Sequence, residues 1–383
     1  MSKNESLETE RKAVLVLEDG SCFVGTGFGA TGKVLGEIVF NTGMVGYPES
    51  LTDPSYHGQI LVLTYPLVGN YGVPSWNVFD RWKIPKFFES DSIKVNGFVV
   101  HEYCVKPYHW ESTRTLGEWL ENEGIPGLQG IDTRMLAKKL RVHGVMLGVL
   151  EVFGEGIEPC LDSLIKEAKL VPDPNRYDLV AEVTCNEPIV YDNEGHKRIV
   201  VIDCGLKNNI LRELLARGVD VIRVPYNFSA DELLEYKPSG VVVTNGPGDP
   251  KKVQETIATV RTLVEDSIPL MGICFGNQLL ALACGGDTYK LKYGHRSQNQ
   301  PCIDVKTGMC YITAQNHGYA VSQESLKDTG LEVWFLNVND KTVEGIRHKR
   351  RNAFSVQFHP EHTAGAVDTR YIFDLFLKML ESA

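Results

Sequence analysis

Several things are missing from this 383-residue sequence. No apolar run approaches the roughly 20 residues that a membrane-spanning helix requires. No CxxC pair occurs among its nine cysteines, an odd number scattered from Cys22 to Cys310, so neither a disulfide framework nor a zinc site is signalled. The cysteines are expected to be free thiols in a reducing compartment. There is no cationic excess: 39 Lys and Arg face 49 Asp and Glu, for a net charge of -10, and the basic residues do not cluster. That pattern carries no electrostatic footprint for nucleic acid or an anionic membrane surface. There is no GxxxxGK[ST] phosphate loop and no HExxH metal motif, so neither phosphate binding by a P-loop nor a metal centre is expected. The opening residues MSKNESLETERK lack the apolar core of a signal peptide and include three Glu, which argues against a transit peptide. Residues 1–12 therefore read as a frayed terminus of a cytoplasmic protein.

What is present falls into two halves, as the chain length allows. From Arg198 onward, short β-branched runs alternate with helical segments: RIVVIDCG, NNILRELLARG, DVIRVPYN, SADELLEYK, GVVVTNG. This is βαβ rhythm and predicts a mostly parallel sheet flanked by helices over 198–383, an α/β domain. A helix near Lys251 to Glu265, the buried strand PLMGIC, a helix from about Asn277, several short strands after Asp287 and a last amphipathic helix DTRYIFDLFLKMLES complete it. Residues 13–153 mix strand-like, turn-rich segments with helical patterns around TRTLGEWLENEG and DTRMLAKKLRVHG, predicting a smaller α+β domain. The polar stretch 154–197, with DPNRYD and DNEGHK, reads as the connection between them.

The sharpest chemical signal is PLMGICFGNQLLALA. A strand ends at Gly272, Cys274 follows, and Gly276 stands at the mouth of a helix. Small neighbours permit a tight strand-to-helix turn that projects a nucleophile from the sheet. The helix amino terminus favours negative charge on the sulfur and leaves amide hydrogens free to face an oxyanion. A thiolate attacking an amide needs a base, and the base needs an orienting partner. FSVQFHPEH supplies His359 after a strand and Glu361 two positions on, with Pro360 holding the turn. A third motif, NGPGDP, follows the strand VVVT, and Gly246 and Gly248 let backbone approach a ligand at the carboxyl end of a parallel strand, where sites form in such sheets. With the amide of Phe275, this loop is a candidate oxyanion donor.

Together these motifs resemble the small, glutamine-hydrolysing chain of carbamoyl-phosphate synthetase, a class I (triad-type) glutamine amidotransferase. The carboxy-terminal motifs NGPGDP, GICFGNQ, TAQNHGYAV and QFHPEH are shared by several amidotransferases. The amino-terminal LVLEDG, GEIVFNTGMVGYPESLTDPSY and LTYPLVGNYG are similar to this family's own first domain. The resemblance implies a triad of Cys274, His359 and Glu361, with Gln278 and the amide of Phe275 holding glutamine. It further implies substrate contacts from Gly246 and Gly248, from Asn316, Gly318 and Tyr319, and from Ser55, which the pattern places in the other domain. It implies delivery of ammonia to a large synthetase chain, in a heterodimer or higher assembly, for arginine or pyrimidine synthesis. ATP, Mg and bicarbonate are then expected on that partner and no cofactor on this chain.

One position departs from the family pattern: Asn277 stands where His is usual. Asn donates and accepts hydrogen bonds but does not titrate near neutral pH. Two further readings follow. One is a non-catalytic, glutamine-binding regulatory subunit of an ammonia-using synthetase. The other is a free-standing amidase or cysteine peptidase of the same fold. The complete set Cys274, His359 and Glu361 favours an active glutaminase.

Overall fold

The computed structural model describes residues 11–381, so most of the terminus read as frayed lies outside the described residues. The described chain forms two compact units: residues 11–41, 58–75 and 95–173 make the first, and 42–57, 76–94 and 174–381 the second. These differ from the contiguous blocks 13–153 and 198–383 that the sequence pattern suggests. Ser55, expected in the amino-terminal domain, belongs to the second unit. Composition marks where a chain is polar, but unit membership depends on which surfaces a segment packs against.

The first unit is built on a closed barrel whose strands run in the order Lys12–Leu17, Cys22–Gly29, Pro126–Gln129, Gly97–Val99, Gln59–Leu63, Gly32–Asn41 and Met146–Val152, the last returning to the first. Alternate residues point to opposite faces of a strand. Ala13, Leu15 and Leu17 accordingly fill the barrel with Ile38, Ile60, Val62 and Leu150, while Val14 and Val16 pack outside it with Val149 and Leu164. Leu164 comes from helix Leu161–Ala168, formed within the stretch read as a connection. Helix Leu116–Asn122 begins with a capping box, Thr115 accepting from the Glu118 amide, and helix Thr133–His143 is capped by Asp132. Both match the helical patterns in the sequence.

The second unit carries a sheet with ten strands among the described residues, in the order Ile189–Tyr191, Asp220–Pro225, Arg198–Asp203, Gly240–Val243, Leu270–Ile273, Ala353–Val356, Val343–His348, Cys310–Val321, Thr288–Asp304, Leu331–Asn337. The five strands from Asp220–Pro225 to Ala353–Val356 are mutually parallel. Their continuous apolar runs follow from burial on both faces. Val200, Ile202, Val241, Val243 and Leu270 enter one core with Val260, Leu263, Leu279 and Leu280. Ile199, Val201, Val242, Met271 and Ile273 enter the other with Ile210, Leu214, Phe373 and Phe376. Helices Gln254–Glu265 and Phe275–Ala283 thus cover one face. Helices Asn208–Leu215 and Tyr371–Glu381 cover the other.

The remaining strands are antiparallel. Ile189–Tyr191, from the supposed connection, pairs with Asp220–Pro225 at the sheet edge. The strand Thr288–Asp304 is 17 residues long, with register shifts between Lys290 and His295 and between Ser297 and Gln300. Its polar composition hides it from hydrophobic patterning, because the ladder with Cys310–Val321 supplies the pairing instead.

Candidate active site

Cys274 sits between strand Leu270–Ile273 and helix Phe275–Ala283, with φ 56° and ψ -99°. A side chain forced to positive φ stores strain of about 1–3 kcal/mol, which the surrounding packing must hold. The glycines at the turn are explained by close backbone approach. A Cβ on Gly272 would come within 2.5 Å of the Gly276 carbonyl oxygen, and one on Gly276 would strike the Val243 carbonyl. The Gly276 amide instead donates to the Thr244 carbonyl at 3.0 Å, joining the turn to the NGPGDP loop. Gly246 is equally constrained, its missing side chain leaving room for the Cys204 carbonyl, and Gly248 has φ +79°.

The Cys274 thiol is 2 % exposed. Its Sγ lies 3.7 Å from the Asn316 carbonyl oxygen and receives the Gln357 amide, Nε2 to Sγ, at 3.6 Å. Burial pushes Cys185 to about 12 and Cys284 to about 11, and Cys204 well above the ordinary thiol range. Those thiols stay protonated. All nine cysteines are free.

His359 and Glu361 are buried beside it. His359 Nδ1 is 2.7 Å from Glu361 Oε1, and its Nε2 has no hydrogen-bond partner in this geometry. Burial alone would lower the imidazole, but the charges of Glu361 and Cys274 outweigh burial and the opposing charge of Lys207, holding it up at about 10. Burial would raise Glu361, yet Lys207 and His359 hold its carboxyl well below the usual range. The four groups therefore form a buried line: ammonium, carboxylate, imidazolium, sulfur. Lys207 Nζ reaches Glu361 Oε1 at 2.8 Å, with the two side chains 3 % and 0 % exposed. Asn209 Nδ2 donates to the Glu361 backbone carbonyl.

Lys207 was not picked out from the sequence. The signal was available, because it lies just past the carboxyl end of the parallel strand Arg198–Asp203, where ligand sites gather in such sheets. Asn245 was also missed. Its side chain accepts from the Lys207 amide at 3.2 Å and donates to Ser55 Oγ at 3.0 Å. Ser55 is thereby brought next to the Gly246 loop. Asp53 anchors the same TDPSY segment, accepting from the Ser55 amide at 2.9 Å and from Asn316 Nδ2 at 3.0 Å.

Gln278 Nε2 donates to the Tyr319 carbonyl at 2.9 Å and to Gln357 Oε1 at 3.2 Å, while Gln278 Oε1 is buried without a partner. A buried, unpartnered acceptor is costly unless a ligand donor meets it. Gly318 follows in the same strand, with Arg296 Nη2 3.3 Å from where a side chain would start. The Asn277 side chain hydrogen-bonds to neighbours of the sulfur, not to the sulfur itself. Its Oδ1 accepts from Ser355 Oγ at 2.9 Å and its Nδ2 donates to Gln357 Oε1 at 3.1 Å.

A second buried cluster lies in the same unit. His295, His317 and Glu344 bring three potential metal-ligand atoms within 4.8 Å of one another. Both nitrogens of His295 are engaged by carboxylates, Asp340 at 2.8 Å and Glu344 at 3.2 Å. Burial opposes, but these two acids hold His295 up at about 9. An imidazolium donating through both nitrogens has no lone pair for a metal. Among the described residues, no helix is long and apolar enough to cross a membrane.

Two stretches of the chain match known families. Residues 200–379 match the family model Glutamine amidotransferase class-I, and residues 15–150 match Carbamoyl-phosphate synthase small chain, CPSase domain. The chain is 49% identical over 368 residues to the carbamoyl phosphate synthase small chain of Methanopyrus kandleri, covering 96% of this chain and 99% of that one. It is 47% identical to the pyrimidine-specific small chain of Halalkalibacterium halodurans, covering 97% and 98%. It is 46% identical to the arginine-specific small chain of Neurospora crassa, covering 97% of this chain and 81% of that one.

Proposed function

The chain belongs to the family of carbamoyl-phosphate synthase small chains, and from that premise we propose that it hydrolyses glutamine at Cys274 and hands the ammonia to a large synthetase chain. The observation that carries this reading is the buried line Lys207–Glu361–His359 ending at a cysteine held at positive φ at the head of a helix.

The reaction follows from the charges. With His359 held at about 10, the imidazole is protonated at neutral pH and its Nε2–H faces proton transfer. The Cys274 thiolate attacks the side-chain carbonyl carbon of glutamine, forming a C–S bond while the carbonyl electrons move onto oxygen. The Phe275 amide and the Gly246–Gly248 loop stabilise that oxyanion. As it collapses, the C–N bond breaks and His359 Nε2–H gives its proton to the departing nitrogen, releasing ammonia and leaving a glutamyl thioester. Water then loses a proton to His359 and adds to the thioester, and cleavage of the C–S bond frees glutamate and regenerates the thiolate. Gln278, Asn316, Gly318, Tyr319 and Ser55 hold the substrate amino acid. The unpartnered Gln278 Oε1 supports that role.

Ammonia free in neutral water is mostly ammonium and is not nucleophilic, so the large chain must receive it directly. That chain carries ATP, Mg and bicarbonate, in a heterodimer or higher assembly in the cytoplasm that serves arginine or pyrimidine synthesis. The Asn277 geometry favours the catalytic reading over a regulatory subunit, because this side chain braces a neighbour and no step asks it to titrate. Glutamate release should rise when the large chain is added and vanish in Cys274→Ser. Absence of turnover in the wild type, with a stable complex still formed, would instead establish the regulatory subunit.

A further inference from the structure

The hydrogen bonds behind Cys274 run in one direction. Ser355 Oγ–H donates to Asn277 Oδ1 at 2.9 Å, so the other end of that amide, Nδ2, is the end facing Gln357. Gln357 Oε1 accepts from Asn277 Nδ2 at 3.1 Å and from Gln278 Nε2 at 3.2 Å. Gln278 is in turn fixed by donating to the Tyr319 carbonyl at 2.9 Å. A carbonyl oxygen has two lone pairs, and both on Gln357 are used. Its amide has one orientation left, with Nε2 toward Cys274 Sγ at 3.6 Å. The side chains of Ser355, Asn277 and Gln357 are fully buried, so no water competes for these bonds. Gln357 follows strand Ala353–Val356, and its backbone amide is pinned to the Glu344 carbonyl at 2.8 Å.

We propose that Gln357 is a preorganised, uncharged hydrogen-bond donor to the Cys274 thiolate, and that Asn277 is the positioning residue that locks its orientation. The chain from Ser355 to sulfur stacks its dipoles head to tail, each bond polarising the next. It ends on an anion, where a hydrogen bond is roughly twice as strong as between neutral groups. A non-titrating residue at 277 suits this task. Asn presents a donor at every pH, so the support given to the sulfur does not change as the imidazole line titrates. The departure from His at this position is thus a change in how the thiolate is supported, with the nucleophile retained.

The inference rests on reading Cys274 as the nucleophile, and its test reads the sulfur rather than turnover. Thiolate ultraviolet absorbance is titrated in the full chain against a Cys274→Ser blank, which subtracts the other eight thiols and the tyrosines. Gln357→Met removes the donor without adding charge, and should move the ionisation midpoint upward by about one to two units, the worth of one hydrogen bond to a charged group. Asn277→Ala should move it in the same direction by less, because Gln278 still holds the Gln357 oxygen. Gln357→Glu keeps an oxygen for Asn277 and Gln278 to donate to, guarding against a Met variant that fails to fold. It too should shift the midpoint upward. Folded variants with the wild-type midpoint overturn the proposal, even if they melt at lower temperature. A wild type that ionises as described but never hydrolyses glutamine would refute the glutaminase reading alone.

Discussion

Replacing Glu361 with Gln removes one charge from the buried line while keeping the side chain's shape. Glu361 Oε1 lies 2.7 Å from His359 Nδ1 and 2.8 Å from Lys207 Nζ. The charge centres of carboxylate and imidazolium are then about 4 Å apart, worth about 4 kcal/mol at an effective dielectric of 20. Divided by 1.36 kcal/mol per unit, that is about three units of support for the protonated imidazole, enough to bring His359 from about 10 to about 7. The pair of thiolate and imidazolium loses the same amount against thiol and neutral imidazole. The reactive form becomes about a thousandfold rarer relative to the neutral one. Glu361→Gln should therefore cut kcat for glutamate release by about 100- to 1000-fold at pH 8, the smaller figure applying if Lys207 relaxes onto the amide oxygen. KM for glutamine should change little, since Glu361 is assigned no contact with the substrate. A coupled glutamate assay across pH 6 to 10 measures both, with a melting curve to show that the variant is folded. Retention of kcat within about threefold would refute the argument that the carboxylate sustains the ion pair.

Lys207→Met leaves Glu361 buried beside His359 without its ammonium, and breaking a buried pair costs about 3–5 kcal/mol. Urea unfolding should show a loss in that range. Gly276→Ala should cost about 3 kcal/mol, because its Cβ would strike the Val243 carbonyl oxygen and neither backbone can yield. The loss should appear in urea unfolding and as lower expression. His295, raised from 6.5 to about 9 by Asp340 and Glu344 against its burial, stabilises the fold fully below pH 6.5, and that contribution is lost as pH rises through 9. Allowing for the half-exposed Asp340, the loss is about 2 kcal/mol. The melting temperature should fall by about 2–4 °C between pH 6.5 and 10, and His295→Gln should flatten that fall.

The sequence alone determined the alternation of apolar runs and helices in the second unit and the elbow at Cys274, because both depend on local spacing. A parallel strand buried on both faces must read as RIVVID or GVVV, and a turn that crowds backbone against backbone must read Gly-x-Cys-x-Gly. The pairing of His359 with Glu361 was legible for the same reason, with only one residue between them. Tertiary structure decided everything that joins distant segments. Barrel closure in the first unit depends on the pairing of Lys12–Leu17 with Met146–Val152, which no local pattern encodes. Membership of Ser55 in the second unit follows from its bond to Asn245, 190 residues away. Lys207, just ahead of helix Asn208–Leu215, gains its role only from Glu361, 154 residues on. Asn277 looked like a lost histidine until Ser355 and Gln357 fixed its amide. A hydrogen bond depends on distance and direction in space, and those become defined only when the sheet brings its strands side by side.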